Sequence, residues 1–190
     1  MRTRVGSFSR KVLLPILIGV IAVGVYLNLV APAPPPVGSV APSFTLPSQE
    51  GAPVSLADYR GQWVVLYFYP RDFTRGCTVE AHNFQRDQAQ YQEKKAVVLG
   101  VSVDSADSHR EFCTKEGLNF KLLADTNHRE SLAYGSLTHL ALVKFASRHT
   151  FIIDPEGKVA KVFTGVNPGR HSAEVLSALV GLQSQTADSR

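Results

Sequence analysis

Two apolar runs, Trp63-Val64-Val65-Leu66-Tyr67-Phe68-Tyr69 and Ala96-Val97-Val98-Leu99-Gly100-Val101-Ser102-Val103, constrain this chain more than any other feature. Neither alternates apolar with polar residues, so each reads as a strand buried on both faces. Between them, Thr78 to Lys95 carries helix formers with no Gly and no Pro. Two strands buried on both faces require a sheet with cover on each side, and the intervening helix supplies part of it.

The flanking segments extend this pattern. Ser43-Phe44-Thr45-Leu46 and Val54-Ser55-Leu56 surround Ser48-Gln49-Glu50-Gly51, which predicts a β-hairpin with a polar turn. Asp104 and Ser105 can cap a helix that Gly117 stops. Phe120 to Leu123 is a short apolar segment, and Asn127 to Tyr134 a short helix. His149 to Ile153 and Lys158 to Phe163 are strands joined by Asp154-Pro155-Glu156-Gly157, good chemistry for an antiparallel turn. Arg170 to Leu182 closes as a helix, and 183–190 reads as a polar tail. This order predicts an α/β, thioredoxin-like fold: a mixed central sheet with helices on both faces and an N-terminal β-hairpin extension. The domain spans 38–182, enough for one ordinary core.

The N-terminus tells a separate story. The net charge of +4 comes wholly from Arg2, Arg4, Arg10 and Lys11, and the remainder of the chain is neutral. No basic stripe with interleaved aromatics is present, so nucleic acid is excluded as a partner. Residues 12–30 carry no charge, interrupted only by Pro15 and Asn28, which predicts one transmembrane helix. The cations ahead of it place the N-terminus in the cytoplasm and the domain outside, in a periplasm or lumen. Ala31-Pro32-Ala33 offers a signal-peptide cleavage site as the alternative, but Pro34 would follow the cut. The expectation is therefore a single-pass membrane anchor, then a stiff Pro-rich linker over 31–37.

Cys77 is placed where a loop enters the helix after the first buried strand. Unpaired N–H groups and the positive dipole end favour a thiolate there. Thr74 can aim a hydroxyl at the sulfur, Arg71 and Arg75 add positive charge, and Gly76 permits close backbone approach. A lone cysteine is otherwise most often an inert core residue. The fourth residue of a Cys-x-x-Cys pattern is here Glu80, which speaks against a disulfide reductase. Cys77, His82, His109 and Cys113 could together hold a metal, but their spacing matches no finger and a closed zinc site would quench the nucleophile.

Pro70-x-x-x-Thr74-x-x-Cys77 resembles the peroxiredoxin active-site motif. Ala41-Pro42-Ser43-Phe44-Thr45-Leu46-Pro47, Val65 to Pro70, Gly76-Cys77-Thr78-Val79-Glu80 and Thr150 to Gly157 resemble the peroxiredoxin Q, or bacterioferritin comigratory protein, branch. The resemblance implies a thiol peroxidase acting on hydrogen peroxide and organic hydroperoxides, with no cofactor, a thioredoxin or similar dithiol as reductant, and a monomeric state. It implies that Cys77 is the peroxidatic cysteine, oxidised to sulfenic acid. Thr74 aligns peroxide and thiolate, Pro70 walls the pocket, and Arg148 stabilises the thiolate and the leaving oxygen. Arg75 stands where the branch often has Pro. His82 stands where its second cysteine is common, so that disulfide is closed. Cys113, 36 residues after Cys77, is then the implied resolving cysteine, and Cys77–Cys113 the redox-active disulfide. The alternatives are a one-cysteine peroxidase recycled by an external thiol, with Cys113 in the core beside Phe112, or a non-catalytic binding or metal-carrier module.

Overall fold

The computed structural model describes residues 32–140 and 143–188. A hairpin, β1 (Thr45–Pro47) and β2 (Pro53–Ser55), opens the domain and is followed by a short 3-10 turn over Leu56–Tyr59. Then come β3 (Trp63–Phe68), α1 (Arg75–Arg86), α2 (Gln88–Glu93), β4 (Ala96–Ser102), α3 (Ala106–Glu116), β5 (Lys121–Ala124) and α4 (Arg129–Ala133). The chain continues through β6 (Leu137–Leu140), β7 (Val143–Ala146), β8 (His149–Ile153) and β9 (Val159–Thr164) to α5 (His171–Asp188).

The central sheet runs β5-β4-β3-β8-β9. β3 pairs parallel with β4 and antiparallel with β8, so the sheet is mixed, as the element order predicts. Alternation along β3 divides the interior. Trp63, Val65, Tyr67 and Tyr69 meet side chains of α1, α2, α3 and α5, among them Phe84, Tyr91, Phe112 and Val175. Val64, Leu66 and Phe68 face the N-terminal hairpin, Tyr134 and Phe151. Both faces are covered, but the helices crowd one side while the hairpin and the short α4 close the other.

Local chemistry sets the element ends. Ser105 caps α3 by accepting from the Ser108 amide, and Gly117 ends that helix in the left-handed conformation that only Gly adopts without strain. The helix expected over 78–95 begins earlier, at Arg75, and breaks at Asp87 into α1 and α2. The polar stretch after Leu182 continues α5 through Asp188 instead of forming a tail.

The predicted membrane helix over 12–30, with its basic flank and cleavage alternative, lies outside the described residues. Among the described residues no helix is long and apolar enough to cross a membrane. The fold class is corrected on this point. The described residues support the α/β domain alone, and the transmembrane helix, the anchoring and the extracytoplasmic placement drawn from it are withdrawn.

Candidate active site

Thr74 occupies the N-cap position of α1, so Cys77 lies within the first helical turn, where amides have no partner inside the helix. The Thr74 hydroxyl makes no capping bond. Its Oγ1 instead lies 2.8 Å from Cys77 Sγ and 3.1 Å from the Arg71 carbonyl, so one proton serves two acceptors. The second donor to the sulfur arrives from beside the neighbouring strand β8. Arg148, one residue before β8, directs Nη2 to Cys77 Sγ at 3.2 Å. Cys77 itself is buried, only 1% exposed, so both bonds act away from bulk water.

Glu80 fixes the guanidinium. It stands one turn after Cys77 on the same helix face and accepts from Arg148 Nη1. Burial raises its carboxyl pKa to about 7, against the opposing pull of Arg148, and its second oxygen is buried without a partner. Gly76 is required for a related reason: a Cβ there would sit 2.9 Å from Arg148 Nη2. Behind Arg148, Thr150 shares a 2.8 Å hydrogen bond with His171 Nε2. Burial, with the nearby Arg148 charge, lowers the His171 pKa to about 4, so its imidazole is neutral at pH 7.

The loop before α1 is anchored on both sides. Pro70 is half-buried and lines a cleft of about 470 Å³ with Arg71, Val103, Val143 and Phe145. Phe73 adopts a left-handed backbone, unusual for a bulky residue, and its ring packs edge-on against Phe112 of α3 at 5.1 Å. Cys113 lies on α3, buried in the same apolar cluster as Cys77, and both thiols are free. Burial leads the causes that push the Cys113 thiol up to about 11.

The structure thus brings Thr74, Cys77 and Arg148 into hydrogen-bond contact, while Pro70 lines a cleft whose wall includes none of these three. Arg71 and Arg75 are both exposed, and Arg71 pairs loosely with Asp104, so neither is the cation on the sulfur. His82 points outward to Glu116 at 3.0 Å. Sequence reasoning missed Glu80 as a site residue, although its i,i+3 spacing from Cys77 put it on the same face. It also missed Asp72, and it placed His109 only in a metal set, because the hydrogen bond between the two depends on the tertiary structure.

Comparison with known proteins points the same way. Residues 37–162 match the model of the AhpC/TSA family. Peroxiredoxin Bcp of Bacillus subtilis is 37% identical over 151 residues, covering 75% of this chain and 94% of that protein. Chloroplastic peroxiredoxin Q of Sedum lineare is 38% identical over 147 residues, covering 77% of this chain and 78% of that one. Among solved structures, Xanthomonas campestris peroxiredoxin Q superposes with a TM-score of 0.70 at 34% identity, over 73% of this chain and 90% of the other. That protein has also been solved as serine mutants at two cysteines 36 positions apart.

Proposed function

Since the chain belongs to the AhpC/TSA family, as a thiol peroxidase of the peroxiredoxin Q and Bcp group, we propose that Cys77 is its peroxidatic cysteine and Cys113 its resolving cysteine. The observation that carries the first assignment is the pair of donors, Thr74 Oγ1 and Arg148 Nη2, aimed at one buried sulfur in the first turn of a helix. The Cys77 thiolate attacks one peroxide oxygen, the O–O bond breaks, and the second oxygen leaves as hydroxide or alkoxide. Negative charge moves from sulfur to the leaving oxygen. Donors already in place for the thiolate can follow that charge without reorganising, which is how preorganised groups lower a barrier. Glu80 acts through Arg148 as a positioning residue.

Cys113 is supported by its burial in the Cys77 cluster, by the lack of any other cysteine, and by the equal spacing of the two mutated cysteines in the Xanthomonas relative. A disulfide needs Cα atoms within about 7 Å, a separation that cysteines on two packed helices seldom reach in a rigid fold, and unwinding the first turn of α1 would deliver Cys77. A thioredoxin-type dithiol then restores both thiols.

The test is peroxide consumption with a supplied dithiol. Cys77→Ser is expected to abolish it, since a serine hydroxyl is a far weaker nucleophile than a thiolate at neutral pH. Substantial turnover in that variant would remove Cys77 from the mechanism. One equivalent of peroxide should yield a linked Cys77–Cys113 peptide by mass spectrometry. A free Cys113 after oxidation would return the protein to one-cysteine chemistry.

A further inference from the structure

A buried polar cluster joins the Cys77 loop to the Cys113 helix, and the first oxidation step makes no use of it. Asp72, in the loop between β3 and α1, is buried yet carries three donors. Tyr69 Oη donates to Oδ1 at 2.7 Å, Ser108 Oγ donates to Oδ2 at 2.7 Å, and His109 Nδ1 lies 2.9 Å from Oδ2. Burial works to raise the Asp72 pKa, but the hydrogen bond to His109 and those from the two hydroxyls bring it below the ordinary carboxylate value. A carboxylate only accepts, so Nδ1 carries the proton, and in the neutral imidazole the free lone pair falls on Nε2.

That Nε2 is buried without a hydrogen-bond partner, in a side chain with no solvent exposure. His109, Phe112 and Cys113 are the buried residues of α3. His109 and Cys113 are spaced i,i+4, which sets their Cβ atoms about 5–6 Å apart on one face. The Cys113 thiol is held protonated by burial, with Asp72 and Glu50 reinforcing this and Lys121 opposing it. Only the thiolate attacks, so the resolving step needs a base beside this sulfur.

We infer that His109, held by Asp72 with Nε2 as the acceptor, takes the proton from Cys113 as that sulfur attacks the Cys77 sulfenic acid. The inference rests on Cys113 being the resolving cysteine. In the step, the S–S bond forms and the S–O bond of Cys77 breaks. The Cys113 sulfur is oxidised and the Cys77 sulfur reduced. The thiol proton passes to Nε2 and then to the departing hydroxide, which leaves as water. Asp72 is a positioning residue that fixes the tautomer.

The test follows both phases of oxidation by rapid mixing between pH 5.5 and 9, in full-length wild type, His109→Asn and Cys113→Ser. Asn keeps an N–H donor for Asp72 and removes the base. Tyr69, Tyr67, Asp72, Glu50 and Lys121 face the site unchanged in wild type and in the Asn variant, so the comparison isolates the imidazole. Sulfenic acid formation should match wild type in His109→Asn, and Cys113→Ser supplies the signal of a sulfenic acid that no internal thiol captures. Disulfide formation in His109→Asn should be slower by about 10²-fold at neutral pH. It should also climb about tenfold per pH unit with the thiolate fraction, a steeper rise than wild type shows. Disulfide formation within twofold of wild type would overturn the inference. So would a slower rate with the wild-type pH profile, since that is the mark of a merely structural residue. Wild type forming no Cys77–Cys113 disulfide at all would overturn the resolving role itself, a result visible before any His109 variant is measured.

Discussion

Thr74 is the cap of α1 by position, yet its hydroxyl is turned away from the helix amides to the sulfur of Cys77. A conventional cap contributes about 1 kcal/mol, so here stability gives way to chemistry. Thr74→Val should leave the fold intact and slow Cys77 oxidation by about 10²–10³, the usual effect of removing one preorganised donor. Arg148→Ala should slow it by a similar factor, while Thr74→Ser should keep most of the rate. Unchanged rapid-mixing rates for both deletions would place the peroxide pocket elsewhere. Glu80 gives a pH signature of its own. Its pKa is raised by burial to about 7, from an ordinary value of 4.5, so between those two values the folded state binds more protons than the unfolded state. Stability contributed by this group is therefore present below about pH 4.5 and is lost as pH rises toward 7, by about 3 kcal/mol in all. Charging of His171, with its pKa lowered to about 4, erodes stability in the opposite direction, as pH falls. Subtracting the pH–stability curve of Glu80→Gln from that of wild type isolates the Glu80 effect, and a flat difference would refute it.

At the scale of elements, β3, β4 and the β8–β9 hairpin were legible because their apolar content and turn residues agree with the tertiary structure. The β6–β7 hairpin was not, since its strands are short, pair only with each other and show no clear alternation. The end of α5 was misread because its polar residues face water. Gln183 nevertheless donates to the Lys94 carbonyl and holds the last turns down. In the site, Thr74 and Cys77 could be read from their three-residue spacing, but Arg148 was legible only through the family resemblance. Nothing local distinguishes a guanidinium that reaches the buried sulfur from one in a surface ion pair. The same holds for Asp72 and His109, whose meeting depends on how α3 docks beside the β3–α1 loop. The element most exposed to test is the first turn of α1. If the disulfide forms by its unwinding, amide exchange over Gly76–Ala81 should accelerate on oxidation while α3 near Phe112 stays protected. Equal protection in reduced and oxidised protein would mean that the two sulfurs meet by some other movement.

For the whole molecule, the two oxidation states set opposing effects against one another. A cross-link between Cys77 and Cys113 closes a loop of 36 residues, and restraint of the unfolded chain by such a loop contributes about 4 kcal/mol. Acting alone, that would raise the melting temperature by roughly 8–16 °C for a chain of this size. The folded state loses ground at the same time. Unwinding the turn gives up the Thr74 and Arg148 bonds to sulfur, the latter charge-assisted and worth about 1.5–3 kcal/mol. It also withdraws Cys77 from the core cluster. These losses match or exceed the gain from the cross-link. Such a disulfide is readily reduced, as turnover by a dithiol demands. The oxidised protein should therefore melt no higher than the reduced protein in scanning calorimetry at fixed pH. Cys113→Ser treated with one equivalent of peroxide provides the oxidised but unlinked control. An oxidised wild type that melts some 10 °C above the reduced form would show that α1 keeps its first turn in the disulfide state.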